Sequence, residues 1–228
     1  MWSALTGPHQ SLGEGTDRAR RYRSEYAPFA GLRDADDDGA WADLARVVGP
    51  SGRIAVAGSR RTAPSGWAID MTLHGLQMVA TEAFSARPES DAVELGEPNV
   101  EEMVDLVART EPGPFAHQTW QMGTYLGLRV EGRLVAMAGE RMHLPGWTEI
   151  SAVCTDPDFR GLGLGGRLVR AVGAGIHARG DQALLHVLAS NVAAIQLYER
   201  LGFVVRRPMT FLIVRAPARE KCQRFLLE

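Results

Sequence analysis

The stretch of residues 160–166, Arg-Gly-Leu-Gly-Leu-Gly-Gly, is the part of the chain best suited to hold an anion. Its glycines let a ligand approach bare backbone. The apolar run 150–154 before it predicts a buried strand, and the apolar residues Leu168, Val169 and Val172 after it predict one face of a helix. A strand, a glycine loop and a helix N-terminus present unpaired N–H groups and a positive dipole end. The stretch therefore predicts a phosphate or pyrophosphate site.

The glycines fit two templates, of which the first is the dinucleotide fingerprint G-x-G-x-x-G, formed by Gly161, Gly163 and Gly166. That fingerprint opens a long βαβ domain and needs an acid at the end of the next strand, about 20 residues on. Asp181 has roughly that spacing but precedes the predicted strand 183–188. A nicotinamide-dinucleotide domain is therefore a poor fit.

The second template is Arg-x-x-Gly-x-Gly, formed by Arg160, Gly163 and Gly165. It resembles the pyrophosphate loop of the GCN5-related N-acetyltransferases (GNAT). A plain tight turn at a glycine-rich helix start is the structural alternative for the loop taken alone. A second motif, Asn191-x-x-Ala-x-x-x-Tyr198-x-x-x-Gly-Phe, resembles the last motif of the same family. Asn191 and Tyr198 are two helical turns apart and share one face.

The resemblance covers about 130 residues, and the run Val-Cys-Thr at 153–155 is similar to the FR47-like branch that includes glycine N-acyltransferases. It implies that acetyl-CoA is the acyl donor. Tyr198 would stand near the thioester sulfur, and Asn191 would bond the pantetheine amides. The implied cofactor-binding residues are Ala152, Val153, Cys154, Thr155, Arg160, Gly161, Leu162, Gly163, Leu164, Gly165, Gly166, Asn191 and Tyr198.

A thioester is already activated, so an amine can attack it directly without a metal or a covalent intermediate. Glu149 lies on the same strand face as Ser151, and we expect it to act as the base, through water. A surface carboxylate is the alternative for Glu149, and Glu140 is the reserve base. Tyr198 is the expected acid for the thiolate, unless it is a core tyrosine. Cys154 is interpreted as apolar packing and not as a nucleophile.

The surrounding pattern predicts an α+β fold of three layers, the GNAT fold: a mixed, mostly antiparallel sheet with a splayed parallel strand pair, flanked by helices. Strands are expected at 126–130, 134–138 and 147–155, followed by the loop, a helix to Arg179, a strand at 183–188 and a helix at 191–201. Two short strands, 203–206 and 210–214, are expected to form a last hairpin. The region 115–123 and this hairpin are expected to border the acceptor.

Residues 1–88 are predicted to form a small α/β cap or degenerate half, and residues 89–228 the acetyltransferase domain. The acidic run 34–38 resembles a calcium loop, but Ala45 replaces the glutamate required at position 12. We interpret these acids as a helix N-terminus instead, because negative charge suits the helix dipole. No metal is expected, since the six histidines show no ligand spacing.

Composition points to an ordinary globular protein of 228 residues with a net charge of −2. A mixed surface of this kind does not favour nucleic acid. No apolar run approaches the length of a membrane span, and the start of the chain lacks a signal-peptide pattern. Two cysteines, Cys154 and Cys222, favour a reducing compartment. We expect a cytoplasmic protein, and a homodimer is left open.

The sequence therefore predicts an acetyl-CoA-dependent N-acetyltransferase acting on the amine of a small molecule. A second class remains open, an acyl-CoA-binding module without turnover, in which the loop works but the base is missing. Turnover of any amine separates the two. The identity of the acceptor is not readable from these residues.

Overall fold

The computed structural model describes residues 1–58 and 62–218. The α-helices in these residues are α1 (Trp2–Leu5), α2 (Asp38–Val48), α3 (Val100–Thr110), α4 (Leu164–Ala178) and α5 (Val192–Leu201). The strands are β1 (Gly13–Gly15), β2 (Ala19–Tyr22), β3 (Phe29–Leu32), β4 (Arg53–Gly58), β5 (Ala68–Ala80), β6 (Val93–Leu95), β7 (Tyr125–Val130), β8 (Arg133–Leu144), β9 (Trp147–Thr155), β10 (Gln182–Leu188) and β11 (Phe203–Arg215). Cys222 and the rest of 219–228 lie outside the described residues.

Within the described part of the chain, the strands form one sheet in the order β1-β2-β3-β4-β11-β5-β10-β9-β8-β7-β6. Neighbours run antiparallel except in the pairs β3–β4 and β9–β10, which are parallel. The predicted meander is present, because β7, β8 and β9 pair in sequence through antiparallel ladders. The predicted α+β class with a mixed, mostly antiparallel sheet is confirmed.

The sheet is continuous across the predicted boundary between residues 88 and 89. Strand β5 comes from the first part, yet it lies between β10 and β11 of the second part. It pairs with β11 from Ala68 to Ala80 and with β10 from Gly75 to Val79. The first 88 residues therefore contribute strands to the same sheet, and the division into two domains stays a prediction.

The predicted last hairpin is wrong, because residues 203–215 form the single strand β11. The ladder with β5 slips at Arg206, between Val205 and Arg207, which marks a β-bulge. Pro208 follows and still faces Leu76 of β5. Its missing N–H is tolerated because β4 begins to pair with β11 only at Thr210, so one side of the strand is free there.

Helices cover the sheet through the faces that the sequence predicts. Leu168, Val169 and Val172 of α4 are buried in the largest apolar cluster, against β8, β9 and β10. Helix α2 packs Trp41 and Leu44 into a second cluster. Asp37 caps α2 by accepting a hydrogen bond from the Gly39 amide, so the acidic run 34–38 does lead into a helix N-terminus. No helix in the described residues is long and apolar enough to cross a membrane.

Candidate active site

Strands β9 and β10 open a cleft in the middle of the sheet. They pair from Trp147 and Gln182 to Ile150 and Leu185, and then separate. Beyond that point β9 stays with β8, and β10 stays with β5. The predicted splaying of this parallel pair is therefore present, and the gap starts at Ser151.

The cleft has a volume of about 900 Å³ and passes the predicted cofactor residues. One wall comes from the separated end of β9, a second from α5 and the end of β10. The predicted residues that line it are Ala152, Val153, Cys154, Thr155, Arg160, Asn191 and Tyr198. The structure thus brings Arg160 of the first motif together with Asn191 and Tyr198 of the second, whereas residues 161–166 do not line the cleft.

A β-bulge reshapes β9 inside the cleft. Ser151 lies opposite Gly139 and Cys154 opposite Met137, so two residues of β9 share one partner on β8. Ala152 takes a left-handed conformation with φ of 51°, which is rare for a residue with a side chain. A bulge interrupts the ladder and leaves an extra residue unpaired. The edge of β9 that faces the gap has no ladder partner beyond Ile150, because pairing with β10 ends there.

The glycine loop keeps its backbone open. Gly161 and Gly163 have φ of 82° and 74°, and a Cβ built at either would meet nothing within 4 Å. Gly163 is the N-cap of α4, and no side chain caps this helix. Leu164 turns inward and is buried, whereas Leu162 is 64% exposed. The first-turn N–H groups of α4 therefore remain available to an anion.

Asn191 and Tyr198 stand on α5, as the motif predicts. The Asn191 Oδ1 accepts a hydrogen bond from the Ala194 amide at 3.1 Å and caps the helix, which leaves the side-chain NH₂ as a donor. Tyr198 is buried and packs edge-to-face on Phe203. Burial, with a smaller contribution from Cys154, raises the pKa of Tyr198 to about 12. Its hydroxyl is therefore protonated at neutral pH.

Glu149 is fully buried and bound on two sides. Arg141 donates to it through Nε at 3.1 Å and Nη2 at 2.7 Å, and the His186 Nδ1 lies 2.8 Å from its Oε1. Burial raises the pKa of Glu149, but Arg141 and His186 outweigh it, and the net pKa lies below its usual range. A carboxylate held in this way is a weak base, so the base role of Glu149 stays a prediction that its surroundings do not favour.

Glu140, the reserve base, is bound in a similar way. It is buried, accepts a hydrogen bond from Arg179 at 2.6 Å and from the Thr124 amide at 3.2 Å. Burial opposes its charge, yet hydrogen bonds from His143 and Arg179 lower the net pKa of the carboxyl. Glu140 does not line the cleft.

His186 lies at the separation point and lines the cleft. Its Nδ1 carries the proton, because the Glu149 carboxylate can only accept. Its Nε2 lies 3.1 Å from Gln77 Nε2 and accepts from that amide. Arg206 and Arg207 donate to the Gln77 Oε1 at 3.0 and 3.2 Å and so fix the amide's orientation. Both ring nitrogens of His186 are therefore engaged.

Three other interpretations from the sequence can be compared with the positions of their residues in the structure. Cys154 is buried, and burial raises the pKa of its thiol to about 11, which suits packing and not nucleophilic attack. Asp181 accepts a hydrogen bond from Thr148 at 2.7 Å, just before β10 begins. It is thus at the wrong end of that strand for a ribose-binding acid. Phe115 packs on Tyr125, and residues 110–114 line the cleft in place of 115–123.

The described residues form a mixed sheet with a cleft between two separating parallel strands. A glycine loop leads into a helix without a side-chain cap, and the helix with Asn191 and Tyr198 lies beside the cleft. Together these features define an acyltransferase fold of the predicted class. Residues 125–212 match the family model of FR47-like proteins. A GNAT-family protein of Novosphingobium aromaticivorans superposes with a TM-score of 0.86 at 42% identity, covering 93% of this chain and 95% of that one. The chain belongs to the GCN5-related N-acetyltransferase family, and the predicted family and fold are confirmed.

Curated relatives match shorter segments. A mycothiol acetyltransferase of Mycobacterium avium is 40% identical over 82 residues, which cover 32% of this chain and 26% of that protein. The [ribosomal protein bS18]-alanine N-acetyltransferase of Salmonella typhimurium is 37% identical over 101 residues, covering 42% and 68%. The chain thus spans about a quarter of the length of the mycothiol acetyltransferase that it matches.

Proposed function

We propose that the protein is an acetyl-CoA-dependent N-acetyltransferase that transfers the acetyl group to the amine of a small molecule by direct attack on the thioester. The observation that carries this proposal is the separation of β9 from β10 after Ile150 and Leu185, which opens a cleft lined by both motif regions. Family membership supports the use of acetyl-CoA.

The donor is held mainly by backbone. The pantetheine arm lies along the end of β9, residues 152–155, on the edge that has separated from β10. The N–H groups of residues 162–166 hold the pyrophosphate, and the exposed Arg160 adds positive charge at its edge. The free NH₂ of Asn191 bonds a pantetheine carbonyl.

Transfer combines bond changes at the thioester carbon with two proton transfers. The amine nitrogen bonds to the thioester carbonyl carbon, an N–H near Val153 stabilises the oxyanion, and the C–S bond then breaks. The electron pair leaves on sulfur, and Tyr198, whose raised pKa keeps it protonated, gives the thiolate its proton. The proton of the attacking amine leaves to solvent or through a water chain.

One observation favours the second class, an acyl-CoA-binding module without turnover. Glu149 and Glu140, the two predicted bases, are both engaged by arginines. If the reaction needed a side-chain base, neither carboxylate would supply it without losing an ion pair. Turnover decides between the two classes.

The test has two parts. Calorimetry is expected to show binding of CoA and acetyl-CoA, with NADH much weaker; tighter NADH binding would reject the proposal at the donor site. CoA thiol release from acetyl-CoA is then measured with alkylamines, arylamines, amino acids and a peptide that begins with alanine. The peptide follows from the name of one relative. Binding without release for every acceptor would favour the module.

A further inference from the structure

The cleft continues past the point of transfer onto an apolar strip. Met71 and Leu73 alternate along one face of β5, and their ladder partners on β11 are Ile213 and Phe211. These four residues and Phe29 of β3 line the cleft. Met71 is 48% exposed, so this end of the group is open to solvent. We call these five residues the apolar strip.

The strip is joined to the transfer point by His186. Phe211 stacks edge-to-face on the His186 ring, with 5.9 Å between ring centroids. His186 stands on β10, one residue past the last pair with β9. A molecule lying on the strip therefore reaches the place where the separated end of β9 exposes its backbone to the thioester.

The charges around this cavity are unfavourable for a cation. The charged or titratable side chains that line it are Arg53, Glu111, Arg141, Cys154, Arg160, His186 and Tyr198. Glu149, the carboxylate behind His186, is already neutralised by Arg141. Glu111, the carboxylate among the lining residues, is exposed at the end of α3. An ammonium on the apolar strip would lose water without gaining a buried carboxylate, which favours the neutral amine.

We propose that the acceptor is a weakly basic amine with an apolar body, such as an aromatic amine, held on the apolar strip. This inference rests on the proposed acetyltransferase function. An alkylamine with a pKa of about 10 is only about one part in a thousand neutral at pH 7. An aromatic amine is neutral at pH 7 and attacks the thioester without prior loss of a proton. Its attack therefore does not need Glu149 or Glu140 as a base.

The same strip suits a long acyl chain less well. An acyl chain gains from complete removal from water, whereas the strip is open at Met71. An open end suits a molecule that must enter and leave while the donor stays bound. A longer acyl group is therefore an outcome that the experiment must detect.

The first experiment compares aniline with cyclohexylamine, which has a ring of the same size, as acceptors for acetyl-CoA between pH 6 and 9. We expect kcat/KM at pH 7 to be at least about tenfold higher for aniline and to change little with pH. For cyclohexylamine it rises about tenfold per pH unit. Turnover confined to alkylamines or amino acids overturns this inference alone. No thiol release with any amine removes the proposed function as well.

The second experiment changes the strip. Met71→Lys is expected to raise the KM for aniline about tenfold through loss of apolar contact, with the KM for acetyl-CoA unchanged. Ile69→Lys is the matched control, since Ile69 lies two residues away on β5, is 42% exposed and does not line the cleft. If Met71→Lys instead weakens only hexanoyl-CoA, the strip holds an acyl chain and the inference is wrong. A large loss of kcat with aniline in Glu111→Gln would also overturn it, because Glu111 would then be a base.

Discussion

Arg141 and Glu149 form a buried pair in which the guanidinium donates to both carboxylate oxygens, at 3.1 and 2.7 Å. The carboxylate is completely buried and the arginine side chain is 10% exposed. They stand on the neighbouring strands β8 and β9, at the level where β9 and β10 are about to separate. The pair thus holds the strand in place at the origin of the cleft.

Glu149→Gln should destabilise the fold by about 3–5 kcal/mol, because it leaves the Arg141 charge buried without its carboxylate. Urea unfolding measures this. The matched control is Glu102→Gln. Glu102 also accepts two hydrogen bonds from an arginine, Arg129, but its side chain is 42% exposed. That change should cost at most about 1 kcal/mol. An unchanged unfolding free energy for Glu149→Gln, with a loss of kcat that is largest at low pH, would restore Glu149 as the base.

The free energy of unfolding should fall in acid, because carboxyl groups whose pKa is lowered in the folded protein lose their stabilising effect when they are protonated. Hydrogen bonds from Arg18 and Thr16 lower the pKa of Asp43 to about 2, below the usual value of about 3.9 in an unfolded chain. Such a group stabilises the fold above its unfolded pKa, and this contribution is lost as pH falls towards the folded pKa. The melting temperature should therefore drop between about pH 5 and pH 2, and drop less in Asp43→Asn. Equal slopes for the two proteins would exclude Asp43 from this effect.

Gly165→Glu should abolish CoA binding and leave the protein folded. A Cβ at Gly165 would meet Thr155 Oγ1 at 3.6 Å and Val153 Cγ1 at 3.7 Å, which are ordinary contacts. The new carboxylate is compatible with the N-terminus of α4, but it occupies the position of the pyrophosphate and repels it. Calorimetry should show affinity for CoA reduced at least about a hundredfold.

Gly175→Glu is the control, because it makes the same change later in α4, where a Cβ would meet Arg179 Nη1 at 3.7 Å. It should bind CoA normally. If Gly165→Glu also binds CoA normally, with both variants folded, the glycine loop is only a turn.

The parts of the site that depend on nearby residues were predictable. The loop 160–166 is set by glycines, and two of them do take left-handed conformations. Asn191 and Tyr198 share α5 because seven residues make two turns. The cleft between the separating parallel strands was predictable from the family resemblance, and Arg160, Asn191 and Tyr198 line it.

The parts that depend on strand register were not predictable. Glu149 meets Arg141 across a hairpin and His186 across a parallel pair, and neither contact leaves a pattern along the chain. Tertiary contacts also changed a local motif. Asn99 and Glu102 have the residue types and spacing of a capping box, but Asn99 accepts a hydrogen bond from the Gly96 amide and Glu102 pairs with Arg129. The apolar strip leaves no pattern along the chain, because it joins β5 to β11, more than a hundred residues apart.

Tyr198→Phe should lower kcat by roughly 10- to 1000-fold with acetyl-CoA affinity nearly unchanged, as expected for loss of one general acid. The change keeps the ring and its contact with Phe203 but removes the hydroxyl, whose pKa of about 12 keeps it protonated throughout the usual assay range. Single-turnover kinetics with calorimetry of acetyl-CoA separate the two effects.

Tyr125→Phe is the matched control, since Tyr125 is equally buried, lies outside the cleft lining, and its hydroxyl has no hydrogen-bond partner in the described structure. The control should keep full kcat. If Tyr198→Phe weakens acetyl-CoA binding and leaves kcat intact, Tyr198 serves packing alone and water protonates the thiolate.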